Sequence, residues 1–117
     1  MKSGLVLVLA AMLAAPGWAE NQTISGYLVD KACSVELAPK GSKALAGHGR
    51  SCALMTPCRR SGFGVVTEDG RFIAFDPAGS QKALAVIKAS AKDDGYRITV
   101  TGDRQGSTLK VASLKLQ

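Results

Sequence analysis

Residue types that most catalytic and nucleic-acid sites require are scarce in this sequence. Its 117 residues include one histidine, one tryptophan, two tyrosines and three phenylalanines. So few aromatic residues, spread over predicted strands, exclude a base-stacking platform. No serine stands in a nucleophile-elbow context, and no glycine-rich loop joins a strand to a helix, so the motifs of common hydrolases and nucleotide-binding proteins are missing. We therefore expect a protein that is not an enzyme and that does not bind nucleic acid.

The sequence has one long apolar run, at residues 5–15, and this run is too short to cross a membrane. A transmembrane helix needs about 20 apolar residues. A lysine precedes the run, and the small residues Gly17 and Ala19 follow it, which is the pattern of a secretory signal peptide. The sequence predicts a signal peptide over residues 1–19, a periplasmic or secreted location and no membrane span.

Cysteine is also scarce, and its placement is the most informative feature of the chain. The three cysteines and the only histidine are Cys33, His48, Cys52 and Cys58. Because three is an odd number, at least one thiol must stay free, bind something or pair with another chain. Residues 20–117 are enough for one small domain, in which these four side chains share one long loop at 31–61.

One interpretation of this loop is a soft-metal site. Three cysteine sulfurs and one histidine nitrogen, from Cys33, His48, Cys52 and Cys58, are the ligand set of many tetrahedral zinc sites. The thioether of Met55 could replace one of them, and such a mixture suits Cu(I). The sequence contains no Cys-x-x-Cys pair, so the spacing of the cysteines does not identify the metal. We predict that the loop binds copper or zinc.

A structural interpretation stands beside the metal site. A disulfide from Cys33 to Cys58, or to Cys52, would join the ends of the loop and stabilise the domain by roughly 3 kcal/mol. The protein would then be a disulfide-stabilised module that binds a protein or a small ligand. A third interpretation is thiol–disulfide exchange by a cysteine that nearby arginines or His48 activate.

Positive charge is concentrated in the same loop. The chain has a net charge of +6, and the loop has one acidic residue, Glu36. Positive charge beside cysteines favours the thiolate over the thiol, and it would offset the negative charge of thiolate ligands. The basic residues of the loop are Lys31, Lys40, Lys43, Arg50, Arg59 and Arg60.

The rest of the chain has the pattern of a small β domain with one helix. Asp69-Gly70 between two β-type runs is a strong hairpin signal, and the apolar period changes to that of a helix after Ser80. The order of strand, long loop, hairpin, helix and hairpin predicts a five-stranded OB-like barrel. The predicted strands are residues 23–30, 62–67, 71–76, 96–101 and 108–116; the helix is 80–91, with one helical turn at 50–56 in the loop.

Four segments of the chain, together with the histidine that is followed by cysteines, resemble a group of small secreted bacterial proteins. They are GYLVDKAC at residues 26–33, SGFGVVTEDGRFIAFD at 61–76, and the closing ITVTG and LKVASLKL runs. The resemblance extends over residues 20–117. It implies export and a β-rich, OB-like fold, and it brings no known activity with it.

Overall fold

A closed five-stranded barrel forms the body of the protein in a computed structural model that describes residues 21–117. The predicted OB-like barrel is therefore confirmed. The predicted signal peptide at residues 1–19 lies outside the described residues. The strands are β1 (Asn21–Asp30), β2 (Phe63–Val66), β3 (Phe72–Phe75), β4 (Arg97–Gln105) and β5 (Thr108–Leu116).

The barrel closes through the long first strand. The strand order is β1-β2-β3-β5-β4, and β4 returns to β1. Residues 21–27 of β1 pair with β4, and residues 27–30 pair with β2. Neighbouring strands are antiparallel except for β3 and β5, which are parallel. The last residues of β1 therefore lie where β2 begins and where the long loop leaves the barrel.

Alternating side chains fill the barrel. In β4, Ile98 and Val100 are fully buried while Thr99 and Thr101 are half-buried, as a strand with one core face requires. Further buried side chains from the other strands and the covering helix are Leu28, Phe63, Val65, Ile73, Ala83, Ile87 and Leu109.

The helix between β3 and β4 is α5 (Pro77–Ala89). The predicted start at Ser80 was wrong, because Asp76 caps the helix and Pro77 opens it, as proline does well at a first helical position. The Asp76 carboxylate accepts hydrogen bonds from the Gly79 and Val111 N–H groups, both at 3.1 Å. The Ser80 hydroxyl instead accepts from the Phe63 N–H at 2.9 Å and so joins α5 to β2.

The loop at 31–61 is more helical than predicted. It holds α1 (Lys31–Leu37), α2 (Ser42–Ala46), α3 (Arg50–Ala53) and α4 (Thr56–Arg60), with a 3-10 turn at Ala38–Lys40. The prediction of a single turn ending at Pro57 was wrong, because that proline lies in the first turn of a new helix. Each helix is too short to be stable alone, so packing on the barrel decides their positions. Within residues 21–117, no helix has the length and apolar character needed to cross a membrane.

Candidate metal centre

Asp30, the last residue of β1, is the structural centre of the site. It is fully buried and is the N-cap of α1. Its Oδ2 accepts a hydrogen bond from the Cys33 N–H at 2.9 Å, and its Oδ1 accepts one from His48 Nε2 at 2.8 Å. A buried carboxylate is stable when such hydrogen bonds satisfy it. The side chain thus fixes the exit of the loop from the barrel.

The first turn of α1 is also joined to the end of the loop. The Lys31 N–H donates to the Gly62 carbonyl at 2.8 Å, and the Ala32 N–H donates to the Ser61 hydroxyl at 3.0 Å. That hydroxyl in turn donates to the Cys58 carbonyl at 2.6 Å. Ser61 therefore links the backbone just before Cys33 to the helix that contains Cys58.

These contacts place two thiols beside one carboxylate. Sγ of Cys33, Sγ of Cys58 and a carboxylate oxygen of Asp30 all lie within 4.8 Å of one another. Both cysteines are free thiols and half-buried. Thiolate sulfur and carboxylate oxygen are both zinc ligands, and a thiolate pair also suits Cu(I). The group has the chemistry and the spacing to hold a metal ion.

The surroundings change the acidity of all three groups. Burial, the Asp30 carboxylate and the neighbouring Cys58 together raise the pKa of the Cys33 thiol to about 12. Burial and the Asp30 charge also raise the pKa of the Cys58 thiol. Burial alone would raise the pKa of Asp30, but the hydrogen bonds from His48 and from Cys33 outweigh it and hold that pKa below its ordinary value of 3.8. Both thiols are therefore protonated at neutral pH, whereas the carboxylate is charged.

His48 lies behind the carboxylate and outside the group of Asp30, Cys33 and Cys58. It is buried, with 6 % of its surface exposed, and its Nε2 faces Asp30. Because α3 begins at Arg50, His48 precedes that helix. In this position the imidazole orients the carboxylate, as hydrogen-bonded partners of metal ligands commonly do.

Cys52 and Met55 lie outside the group as well. Cys52, on α3, is exposed, and Met55, which precedes α4, is 54 % exposed. Cys52 is nevertheless close enough for its charge to contribute to the raised pKa of Cys58. The structure thus separates the four predicted ligands into the pair Cys33 and Cys58, a buried histidine behind it and an exposed thiol beside it.

Exposed basic residues flank the two thiols along the chain. Lys31 precedes Cys33 by two positions, and Arg59 and Arg60 directly follow Cys58. The Arg59 Nε donates to the Leu54 carbonyl at 3.1 Å, which holds that side chain across the step from α3 to α4. This positive charge can offset the negative charge of two thiolates and a carboxylate.

Asp30 is the member of the group that sequence reasoning missed. The sequence pattern predicts this residue only as the end of the first strand. A usable signal was present, since an aspartate directly before a helical segment is a preferred N-cap, and its side chain then reaches the residue three positions later. Here that residue is Cys33. No protein-family model, curated protein or solved structure matches the chain.

Proposed function

We propose that the protein binds a soft metal ion, zinc or copper, through Cys33, Cys58 and Asp30, in the periplasm or outside the cell, and that it is not an enzyme. The observation that supports this function is the approach of two sulfurs and one carboxylate oxygen to within 4.8 Å. Asp30 still has free acceptor capacity, because a carboxylate offers about four lone-pair positions and two are used.

The donor set favours zinc when all three groups bind. Zinc accepts cysteine sulfur and aspartate oxygen together in a tetrahedral site, and a fourth position stays open to water or to another donor. Cu(I) would depend on the two sulfurs alone. Two thiolates and a carboxylate carry three negative charges, so a divalent ion leaves one, close along the chain to the exposed Lys31, Arg59 and Arg60.

The test measures metal and thiols on the same sample. The full chain is purified under reducing conditions without chelator, its metal content is measured by mass spectrometry, and its affinities are measured by competition with colour-forming chelators for Zn²⁺ and Cu(I). One ion per chain is expected, and Cys33→Ser and Cys58→Ser should each lose stoichiometric binding. Co²⁺ gives a second readout, because thiolate ligation produces a charge-transfer absorption.

Cys52→Ser is the matched control, since it removes an exposed thiol outside the group. It should retain the ion. Equal binding by Cys33→Ser, by Cys58→Ser and by the unchanged chain would contradict the proposed site. If only Cys52→Ser lost the metal ion, the binding site would instead be at the exposed Cys52.

The alternative function is a disulfide-stabilised binding module without metal. The same observation favours it, because the Cys33 and Cys58 sulfurs lie within 4.8 Å. Thiol counting on a second sample, purified without reductant, separates the two functions: the metal protein has three thiols once the ion is removed, whereas the disulfide module has one.

A further inference from the structure

Cys33 and Cys58 are arranged to react with each other as well as with an ion. Their sulfurs lie within 4.8 Å on two separate short helices, α1 and α4. A disulfide requires about 2.05 Å between the sulfurs. Rotation of either thiol about its Cα–Cβ bond changes this separation without moving the barrel. The Ser61 hydroxyl keeps the backbones of the two helices together while the thiols turn.

The pair is also open to a reaction partner. Both thiols are half-buried rather than enclosed, and exposed side chains stand on either side of them along the chain. The basic residues Lys31, Arg59 and Arg60 favour a partner with negative charge. A small anionic disulfide is therefore the partner that this charge favours.

We infer that Cys33 and Cys58 carry out thiol–disulfide exchange with anionic disulfides, and that the resulting Cys33–Cys58 disulfide cannot bind the metal ion. Cys58 loses its proton to solvent, attacks the incoming disulfide as a thiolate, forms a mixed disulfide and releases one thiolate of the partner. The second cysteine then attacks the mixed disulfide and releases the other half. Two protein thiols are oxidised and one external disulfide is reduced to two thiols, which take up the two protons.

Metal binding and exchange exclude each other because they need the same sulfur atoms. A metal ion binds thiolates, and a disulfide has none to offer. The metal half of this inference rests on the proposed function; the exchange half rests on the sulfur separation alone. Bound metal should protect the pair from oxidation, and oxidation should remove the site.

The experiment uses full-length Cys52→Ser as the reference chain, so that the exposed thiol does not react. The reduced, metal-free protein is mixed with excess oxidised glutathione, and its thiols, intact mass and non-reduced peptide map are measured. We expect no remaining thiol, a Cys33–Cys58 cross-link and no retained glutathione. Cys33→Ser in the same background should instead retain one glutathione on Cys58. Dithiothreitol should restore both thiols.

The metal arm separates the two claims. Zn²⁺ is added to the reduced and to the oxidised chain, and stoichiometric binding is expected only in the reduced one. Retained glutathione on both cysteines, or no reaction, would overturn the exchange even if the reduced chain binds Zn²⁺. A disulfide that forms while neither chain binds Zn²⁺ or Cu(I) would overturn the proposed function and leave the exchange standing. Equal Zn²⁺ binding before and after oxidation would overturn the mutual exclusion.

Discussion

Replacing Asp30 tests the centre of the site and the exit of the loop together. Asp30→Ala removes the N-cap of α1, which costs about 1 kcal/mol, and the charged hydrogen bond from His48, which costs about 1.5–3 kcal/mol. The expected loss of unfolding free energy is therefore about 3 kcal/mol. Asp30→Asn keeps the shape and the cap but loses the charge, so about half of that loss is expected.

The assay is urea unfolding of the reduced chain, in which a lower midpoint at unchanged slope reports lost stability. The exposed Glu68, in the turn between β2 and β3, offers a control in Glu68→Ala, for which the midpoint should not move. A loss below about 1 kcal/mol for Asp30→Ala would refute the reasoning, because a cap and a buried charged hydrogen bond together exceed that value.

The pH dependence of this effect has a definite sign. The pKa of Asp30 is lower in the folded chain than its ordinary value of 3.8, so its contribution is fully present above that value and disappears as the pH falls through the folded pKa. The difference between the unchanged chain and Asp30→Asn should therefore shrink on going from about pH 5 to the acid side of 3.8. A difference that grows there would show that Asp30 is not a charged carboxylate in the folded chain.

Three further predictions concern the reactivity of the cysteines, the protons released on metal uptake and the space around two glycines. Iodoacetamide should alkylate the exposed Cys52 first and Cys33 last, because the Cys33 pKa of about 12 leaves little thiolate. Peptide mass spectrometry gives the order. Metal uptake should release about two protons, one each from Cys33 and Cys58, so that the metal affinity rises on the order of 100-fold per pH unit. Competition with a chelator at several pH values measures this slope. Gly64→Ala should cost about 2 kcal/mol in urea unfolding, because a Cβ would lie 2.4 Å from the Ile73 carbonyl, whereas Gly47→Ala, with 3.6 Å of space, should not destabilise.

The barrel could be predicted because its signals are local. Asp69-Gly70 set the first hairpin, and the change to a helical period set α5 between β3 and β4. The start of α5 could not be placed correctly, because Asp76 and Ser80 are both good caps by type. Only the packed structure decides that the Asp76 carboxylate turns to Gly79 and that Ser80 binds Phe63.

The site was harder to predict than the fold. Residue type identified the cysteines and His48, but spacing could not say which of them meet. Three short helices with no strong pattern of their own carry the cysteines, and His48 lies just before one of those helices. Their positions depend on contacts between distant parts of the chain, such as Ser61 with Ala32. The N-cap role of Asp30 could be predicted from its local sequence, but its burial could not, because that burial is a property of the closed barrel.

Substitutions of Asp30 and Ser61 separate two contributions, one to the stability of the barrel and one to the arrangement of the metal site. Substitution of a single ligand would not separate them. Asp30 belongs to the strand that pairs with both β2 and β4, so a change in its charge acts on the barrel as well as on the thiols. The hydrogen bonds of the Ser61 hydroxyl all go to backbone groups, at Ala32, Cys58 and Gly62. We expect Ser61→Ala to lower the metal affinity with little change in the free energy of unfolding. That result would measure how much the spacing of α1 and α4 contributes to the metal affinity. Substitution of Asp30 lowers both quantities, because the carboxylate serves the fold and the site with the same two oxygens.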